Sequence, residues 1–427
     1  MCNMTGSMVS RCMVVLALVA MSFRMAVVAF PVRTCATVAP VQSTLDVATS
    51  ALTVDHHPFG IAYYTNDIAF VIIRRSVAVL NVSEFTPVLK HQIIPSPDVL
   101  AHLGLSDSDP DEDTYIFHGL VLSPDRKNVY AAGGHGALIL DTERAVAGRN
   151  DSVVGVLANN GVAGNYSAMA AITPDSRYVF LTQEFGSPVN GKRGDLEVWE
   201  VNTDTNAVVT GVYKGYITLG YATVDMAFSS DNTKLYVTSE ATGIDDVDGL
   251  RGSISVLDVE TLKTNPSGAL LWTVDAGCHP VRIKLGSDGK RVWINTREAN
   301  TLLVFDADKL NSNETAGEAL ITDVVVGTSP VSLAIVGDYV LTADSNRWGY
   351  SNTSTGLTVV DTLSVQKGIV ANFPQIRTGQ FPREFGLSPD GNTLLVSEFD
   401  GYAVRAVNVS SLKETSKLRR GIVRHEL

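Results

Sequence analysis

The sequence has 427 residues, of which 45% are hydrophobic and 18% are charged, with a formal net charge of −12. Such a chain can bury a large core, but it is too long for one ordinary compact domain unless it is built from repeats. The acidic balance disfavours binding to nucleic acid, because the phosphates would be repelled. Four cysteines, Cys2, Cys12, Cys35 and Cys278, are too few for a disulfide scaffold.

The N-terminal residues have the pattern of a secretory signal peptide. Arg11 precedes an apolar run, and small residues follow at Ala29 and Ala36. The run is short for a membrane span, and Arg24 interrupts it. We predict a signal peptide over residues 1–30, with cleavage as late as residue 36, and a secreted protein that leaves the membrane after cleavage. An uncleaved signal anchor is the alternative.

Six Asn-x-Ser/Thr sequons are consistent with a glycosylated extracellular surface. They are Asn81, Asn150, Asn165, Asn313, Asn352 and Asn408. Residues 411–427 form a basic C-terminal tail, which we expect to be disordered. Its last four residues, Arg424–Leu427, resemble an ER-retrieval sequence but lack the usual Asp.

One unit recurs along the chain: an apolar strand, a tight turn that ends in Asp, a second strand and then a third. Seven such turns are present, and their Asp residues follow one another every 50–58 residues. The turns are Thr65–Asp67, Ser123–Asp125, Thr173–Asp175, Ser229–Asp231, Gly286–Asp288, Val336–Asp338 and Ser388–Asp390. Pro presets φ in such a turn and Asp bonds the nearby backbone, so the pattern favours hairpins.

The size of this unit predicts the architecture. β-branched and aromatic residues dominate the runs between turns, and no run has sustained helical periodicity. Each unit has room for four strands, which is one propeller blade. We predict an all-β, seven-bladed β-propeller over residues 50–410, with four antiparallel strands per blade. Residues 51–55 belong to no complete unit and are predicted to close the ring as the outer strand of the last blade.

Two segments resemble a known repeat. Leu235–Glu240 and Ile254–Asp258, together with the Ser-Pro-Asp-Gly turn at Ser388, are similar to the YVTN repeat of the lactonase-like seven-bladed propellers. That family includes bacterial phosphogluconolactonases and fungal carboxymuconate cyclases. The resemblance covers about residues 50–410. It implies a secreted, fungal-type lactonase-like propeller, but it transfers no catalytic residue, because the matched positions lie in turns and core.

The starts of the seven inner strands indicate where a site would lie, because they line the channel on the face opposite the turns. Side chains alternate along a strand, so one phase faces the channel. This phase places charged or polar side chains in four successive blades: Asp225, Arg282, Lys284, Ser332 and Glu384. His118 and Arg383 fall one residue earlier, near the mouth. The facing blades contribute Ile61, Gly119 and Met169, so we predict a channel with one charged and one apolar half.

Two interpretations of these residues stay open. In the first, Arg282, Arg383, Ser332 and Lys284 bind an anionic substrate, and Glu384, Asp225 or His118 moves a proton. In the second, the charges pair with one another and hold the blades in register. A further polar ring falls at the ends of the second strands: His135, Glu184, Glu240, Glu298, Asp344 and Glu398. We interpret that ring as blade-capping, and Cys278 as a small buried residue or a free thiol.

Two function classes follow from this pattern. The first is a lactone hydrolase or lactonising cycloisomerase acting on a small oxygenated or anionic metabolite, including secondary-metabolite tailoring. The second is a non-catalytic secreted or cell-surface propeller that binds a ligand or protein. No P-loop, dinucleotide, zincin or Gly-x-Ser-x-Gly motif is present, so we predict no cofactor and no metal. We expect a monomer with a small-molecule ligand at the channel mouth and no nucleic-acid partner.

Overall fold

A computed structural model of the chain shows seven four-stranded antiparallel sheets arranged in a ring. The protein is a seven-bladed β-propeller, as the repeat predicts. The structure describes residues 35, 38–105, 117–159, 164, 166–204, 208–243 and 251–416. The predicted signal peptide, the sequon at Asn165 and residues 417–427 of the basic tail lie outside the described residues. The expectation of a disordered tail is wrong for residues 411–416, which are helical, and Leu412 packs into the apolar cluster that joins blades 6 and 7.

The first four blades follow one another along the chain, each running from its inner to its outer strand. Blade 1 contains β2 (Pro58–Tyr63), β3 (Ile68–Ile73), β4 (Ser76–Asn81) and β5 (Val88–Ile93). Blade 2 contains β6 (Phe117–Leu122), β7 (Asn128–Gly133), β8 (Gly136–Asp141) and β9 (Val153–Ala158). Blade 3 contains β10 (Ser167–Ile172), β11 (Tyr178–Gln183), β12 (Asp195–Thr203) and β13 (Val209–Thr218). Blade 4 contains β14 (Tyr221–Phe228), β15 (Lys234–Ala241), β16 (Arg251–Asp258) and β17 (Leu270–Cys278).

The last three blades repeat this order until the ring closes. Blade 5 contains β18 (Pro280–Leu285), β19 (Arg291–Thr296), β20 (Thr301–Asp306) and β21 (Leu320–Val325). Blade 6 contains β22 (Pro330–Val336), β23 (Tyr339–Asp344), β24 (Gly356–Asp361) and β25 (Gln375–Arg377). Blade 7 contains β26 (Pro382–Leu387), β27 (Thr393–Glu398), β28 (Ala403–Asn408) and, as its outer strand, β1 (Thr49–Thr53). Each inner strand ends beside one of the seven Asp-containing turns, as the repeat predicts.

The Asp-containing turns have the hydrogen bonds that their composition predicts. In blade 2, Ser123 Oγ donates to Asp125 Oδ1 at 2.6 Å, and Arg126 N donates to Ser123 O at 2.8 Å. Arg126 has a φ of 62°, in the left-handed region. Ser123 N also donates to Asn128 O at 2.8 Å, so the hairpin loop has four residues, 124–127, a length most often built around a type I turn. Its left-handed position is occupied here by Arg126 and elsewhere by Ser176, so it does not require Gly or Asn.

Short helices, which the sequence analysis did not predict, interrupt the β structure. They are α1 (Pro97–His102), α2 (Thr142–Val146), α3 (Val259–Thr264), α4 (Ala307–Leu310) and α5 (Thr362–Gln366), with 3₁₀ turns at Pro188–Asn190, Pro266–Gly268 and Ala316–Glu318. Four of them follow a third strand that ends in Asp: Asp141, Asp258, Asp306 and Asp361. Each carboxylate caps the helix by accepting a backbone N–H, as Asp141 does from Arg144 N at 2.8 Å. Among the described residues, no helix is long and apolar enough to cross a membrane.

The core lies between the blades. In the described part of the chain, seven apolar clusters of buried residues form, and each joins two neighbouring blades. The cluster that joins blades 1 and 2, for example, packs Phe70 of β3 against Phe117 and Leu120 of β6. A blade is therefore apolar on both faces, and it is covered only when it has a neighbour on each side.

Ring closure depends on β1. Residues Thr49–Thr53 pair antiparallel with Ala403–Val407 of β28, in register from Thr53 opposite Ala403 to Thr49 opposite Val407. Leu52 packs against the apolar cluster that joins blades 7 and 1. The predicted closure by residues 51–55 is confirmed, with the strand starting two residues earlier.

If β1 closes the ring, a polar substitution on its buried side should lower the free energy of unfolding. We expect Leu52→Asp to lower the free energy of unfolding by about 2 kcal/mol, because it puts a carboxylate against an apolar cluster. The matched control is Val41→Asp, since Val41 is 74% exposed in the same N-terminal segment. Thermal melts of both variants measure the difference, and equal melting temperatures would contradict a role for β1 in closing the ring.

Candidate functional site

A β-bulge near the start of each inner strand shapes the channel wall. In blade 5 the pairing register shifts around Arg282, whose backbone N–H donates instead to Asn295 Oδ1 at 2.6 Å. Blade 7 repeats this arrangement, with the N–H of Glu384 donating to Ser397 Oγ at 2.9 Å. Bulges re-aim a side chain and bend the strand. The side chains of the second strand satisfy the backbone groups that the bulge frees.

Arg282 and Glu384 form a buried ion pair across the channel. Arg282 Nε donates to Glu384 Oε1 at 3.0 Å, and its Nη2 contacts the same oxygen. The other carboxylate oxygen accepts from Ser332 Oγ at 3.2 Å. Arg282 is 3% exposed and Glu384 6% exposed. Blades 5, 6 and 7 are thus connected by one hydrogen-bonded group, which joins three of the predicted site residues.

Next to this ion pair, the channel has one charged and one apolar half, as the alternation of side chains along the inner strands predicts. A cavity of about 180 Å³ has Lys284, Ser332 and Glu384 on one side and the apolar Ile61 and Met169 on the other. Asp225 does not line this cavity. It is buried, and its Oδ2 accepts the backbone N–H of Ile283 from the next blade at 3.0 Å. Asp225 thereby holds blades 4 and 5 in register.

His118 lies at the mouth, where the sequence places it, but its surroundings do not suit a proton carrier. Its Nδ1 lies 3.2 Å from Ser167 O, so it donates there, and its Nε2 lies 3.0 Å from the Tyr166 hydroxyl. Burial, and then the charge of Arg383, lower the pKa of His118 to about 3. The imidazole is therefore neutral at physiological pH and already hydrogen-bonded at both nitrogens.

Above the ion pair a larger cavity of about 380 Å³ opens at the channel mouth. Its charged lining residues are Arg282, Arg297, Arg347, Arg383, Glu184, Glu240 and Asp400. Its aromatic lining residues are Phe59, His118, Tyr166, Trp348, Phe381 and Phe399. The volume is in the range of small-molecule sites.

Two of the four mouth arginines are neutralised by carboxylates. Arg282 is paired with Glu384, as described above. Arg297 Nη2 lies 2.7 Å from Glu240 Oε2, and its Nε lies 3.2 Å from Glu298. Burial opposes ionisation of Glu240, but the charge of Arg297, the hydrogen bond and charge of His279 and the charge of Arg347 together outweigh it and lower the pKa of Glu240 to about 2. Arg297 and Glu240 are therefore both charged and paired.

The other two arginines are not neutralised in this way. Arg383 and Arg347 both stand within 6 Å of the Phe381 ring centroid, at 5.7 and 5.9 Å. Neither guanidinium forms an ion pair within the described part of the chain, and Arg383 Nη1 is buried without a hydrogen-bond partner there. Burial, and then the charge of Arg282, lower the pKa of Arg383 to about 10. Two arginines without a carboxylate partner among the described residues thus lie beside an aromatic ring of the mouth.

Glu184 is the titratable carboxyl of this mouth. Burial, and then the neighbouring charge of Glu240, raise the pKa of Glu184 to about 7, while Arg383 acts in the opposite direction. The side chain lines the mouth cavity, and its carboxylate forms no hydrogen bond among the described residues. It can therefore gain or lose a proton near neutral pH, as a general acid or base must.

The second-strand ring, which the sequence analysis interprets as blade-capping, is divided between structural positions and the mouth. Asp344 accepts from Thr358 and Gln375 within blade 6, and Glu398 binds Arg405 and accepts from Gly379 N at 2.7 Å. Only three members, Glu184, Glu240 and Glu298, belong to the mouth or contact its arginines.

The interpretation of Cys278 as a buried or free thiol is wrong in its second part. Cys278 is buried, and it forms a disulfide with Cys35 across a sequence separation of 243 residues. Sequence spacing does not indicate such a pairing, because the partner lies at the end of the N-terminal segment, far from blade 4 in the chain. A disulfide-bonded sulfur cannot act as a nucleophile at the mouth.

The five described sequons differ in exposure. Asn150, Asn313 and Asn352 are exposed. Asn81 and Asn408 are half-buried, and each side-chain oxygen accepts a backbone N–H at 3.0 Å, from Ser83 and Ser410 respectively. Within the described part of the chain, no group of three His, Cys, Asp or Glu side chains is placed to hold a metal ion.

Comparison with known proteins identifies the fold only. No protein-family model matches the chain, and no curated protein matches it. Among solved structures 1179 chains match, which shows how widely this fold occurs. One of them is a chain of Kuenenia stuttgartiensis hydrazine synthase, with 12% identity and a TM-score of 0.58 over 84% of this chain and 97% of that chain. Identity this low carries no information about activity.

Sequence reasoning missed Arg297 and Arg347 as site residues. Both follow the end of a second strand by one to three residues, since β19 ends at Thr296 and β23 ends at Asp344. A search for basic residues just after the second strands, in addition to the acidic ones at their ends, would have found them. Glu184 was within the polar ring, but its position beside unpaired arginines was not evident from the sequence.

The ion pair across the channel can be tested by a double-mutant cycle. We expect Arg282→Met to lower the free energy of unfolding by about 3–5 kcal/mol, because Glu384 is left charged and buried without a partner. Adding Glu384→Gln should recover most of this loss, since no buried charge then remains. Denaturant unfolding of the two single variants, Arg282→Met and Glu384→Gln, and of the double variant measures the effect. Additive losses in the double variant would show that the two side chains are not coupled.

The raised pKa of Glu184 predicts a pH-dependent stability. The folded state holds a proton that the unfolded chain releases at lower pH, so this stabilising contribution is complete below the ordinary glutamate pKa and is lost as the pH rises through about 7. Glu184→Gln removes the dependence. We therefore expect the variant to exceed the wild type in melting temperature at pH 8 by more than at pH 4.5. The control, Glu143→Gln at an exposed position, should show no such change; a constant difference for Glu184→Gln would contradict the shift.

Proposed function

We propose that the channel mouth of this propeller binds a small organic anion with an aromatic or apolar body. The observation that carries the proposal is Arg383, whose Nη1 is buried without a hydrogen-bond partner among the described residues. A buried guanidinium N–H without an acceptor is costly. A ligand carboxylate is the group that this donor geometry accepts best.

The charges around Arg383 support an anion rather than a neutral ligand. Arg282 and Arg297 are neutralised by Glu384 and Glu240, so they do not compete for a ligand. Arg347 adds a second guanidinium without an ion-pair partner among the described residues, 5.9 Å from the Phe381 ring centroid. Because both guanidiniums are half-buried, these charges act on a ligand more strongly than fully exposed charges would.

The walls of the cavity indicate the rest of the ligand. Phe59 and Phe381 lie under the Arg383 guanidinium, at 4.7 and 5.7 Å from their ring centroids. Phe399 packs edge-to-face on Phe59 at 6.0 Å, and Trp348 is 54% exposed at the rim. These rings offer apolar faces beside the cations, so a planar or apolar body attached to a carboxylate would be covered on both sides.

Glu184 supports a catalytic use of the same cavity, which is our second candidate. With a pKa of about 7, it can take a proton from water as that water attacks a lactone carbonyl carbon. The ring C–O bond then breaks, Glu184 returns the proton to the leaving oxygen, and the product carboxylate is held by Arg383. A lactone and water thus yield a hydroxy acid, and the reverse sequence closes the lactone. This chemistry agrees with the lactonase-like repeat.

A small set of probe ligands tests anion binding. We expect benzoate to bind and benzamide, its uncharged analogue of similar shape, to bind at least about tenfold more weakly, because only the anion satisfies Arg383. Arg383→Gln should remove this preference. Arg177→Gln, at an exposed position paired with Glu200, is the matched control and should leave it unchanged. Calorimetric titration measures the affinities, and equal binding of benzoate and benzamide would contradict the proposal.

Assays on the wild-type protein and a Glu184→Gln variant distinguish an enzyme that acts on lactones from a protein that only binds an anion. Acid release from a panel of small lactones, lost in Glu184→Gln while benzoate binding persists, supports the enzyme. Benzoate binding without turnover of any lactone supports a secreted or cell-surface binding protein, the alternative that the sequence analysis left open. In both cases we propose an extracellular protein that acts as a monomer on a small molecule, with no nucleic-acid partner.

A further inference from the structure

We propose that Cys35 and residues 38–53, here called the clasp, hold the ring closed and are attached to it by the Cys35–Cys278 disulfide. The signal peptide is cleaved after Ala29, so that Cys35 remains in the mature protein. Maturation and stability of the ring depend on this segment whatever ligand binds at the mouth. Residues 38–53 do more than supply the outer strand of blade 7.

This segment contacts three blades in turn. Ala39 N donates to Thr328 Oγ1 at 2.9 Å, between blades 5 and 6. Leu45 N donates to Gln375 O at 2.9 Å on the outer strand of blade 6, and Asn408 N donates to Ala48 O at 2.9 Å on blade 7. Strand β25 of blade 6 has only three residues, so the segment covers an edge that would otherwise be short and open.

The disulfide extends the same path to blade 4. Cys278 is the last residue of β17, and its sulfur is joined to Cys35, which precedes the segment. The clasp therefore runs from blade 4 past blades 5 and 6 to blade 7. With non-covalent contacts alone, the segment could detach from the ring, starting at its N-terminal end. The disulfide attaches that end covalently to blade 4.

The bond also selects among the possible cleavage positions. Cleavage after Ala36 would remove Cys35 with the leader and leave Cys278 as an unpaired thiol. Cleavage after Ala26 would place the charged Arg24 three residues before the bond, against the small, uncharged pattern of a leader cleavage site. Cleavage after Ala29 has Val27 at that position, and it leaves five residues before Cys35. It is the position compatible with both the leader pattern and the disulfide.

Formation of the clasp requires an oxidising compartment. The two thiols lose two protons and two electrons to the disulfide of a thiol oxidoreductase, which is reduced to a dithiol as the Cys35–Cys278 bond forms. Residues 30–427 contain two cysteines, Cys35 and Cys278, so no other intramolecular disulfide can form. The sequence of events is thus translocation, cleavage, folding of the ring and oxidation.

The experiment is expression of the full chain in a eukaryotic secretory host, followed by N-terminal sequencing, thiol counting and peptide mapping with and without reductant. We expect a mature chain that begins at Phe30, no free thiol, and one peptide pair that links Cys35 to Cys278. A mature chain that begins at Thr37, an uncleaved chain, or a free Cys278 thiol would overturn the proposal.

Thermal melts test the mechanical role of the bond. Reduction of the wild-type protein should lower its melting temperature by about 5 °C or more, because the bond closes a very long loop. The Cys35→Ser/Cys278→Ser variant should melt like the reduced protein and should not respond to reductant. If this variant is not secreted, reduction of purified wild-type protein gives the same information. A melting temperature that reduction leaves unchanged would show that the segment is held without the bond.

Discussion

The antiparallel pairing of β1 with β28 is the interaction on which the rest of the structure depends. Each blade is apolar on both faces, so a blade without a neighbour would expose one of the seven clusters to water. Closure by a strand from the other end of the chain removes both that exposure and an unpaired sheet edge. Every position of the channel wall, and so the geometry of the mouth, follows from the ring being closed at seven blades.

Within the closed ring, one local distortion decides which side chains meet. The bulge at each inner strand turns residues such as Arg282 and Glu384 toward the axis, and partners from the second strand satisfy the freed backbone groups. Charges that are 102 residues apart in sequence then form a buried pair. Of the mouth arginines, Arg347 and Arg383 have no carboxylate partner in the described part of the chain, and Glu184 lies in the same cavity. This arrangement supports the proposed binding of a small anion.

The mouth and the clasp are close to one another in the fold. Cys278 precedes His279, whose Nδ1 lies 2.8 Å from Arg297 Nη2, and Arg297 lines the mouth. His279 has a φ of 52° and stands before Pro280, a strained combination that the surrounding structure has to maintain. The disulfide fixes the backbone next to this residue. The Cys35–Cys278 disulfide therefore stabilises the ring and also orders the backbone at the site.

The sequence by itself determined the blade count, the strand order and the closure, because these depend on local features that repeat: Asp-containing turns, β-branched runs and a short orphan strand. It also placed Arg282, Ser332 and Glu384 in the channel, since alternation along a strand is a local rule. The tertiary structure alone decided the pairing of Cys35 with Cys278, the register role of Asp225, the neutral state of His118 and the isolation of Arg383. Each of these depends on which groups from distant blades come within a few ångströms and on how far water is excluded there, and neither quantity is encoded in the spacing of residues along the chain.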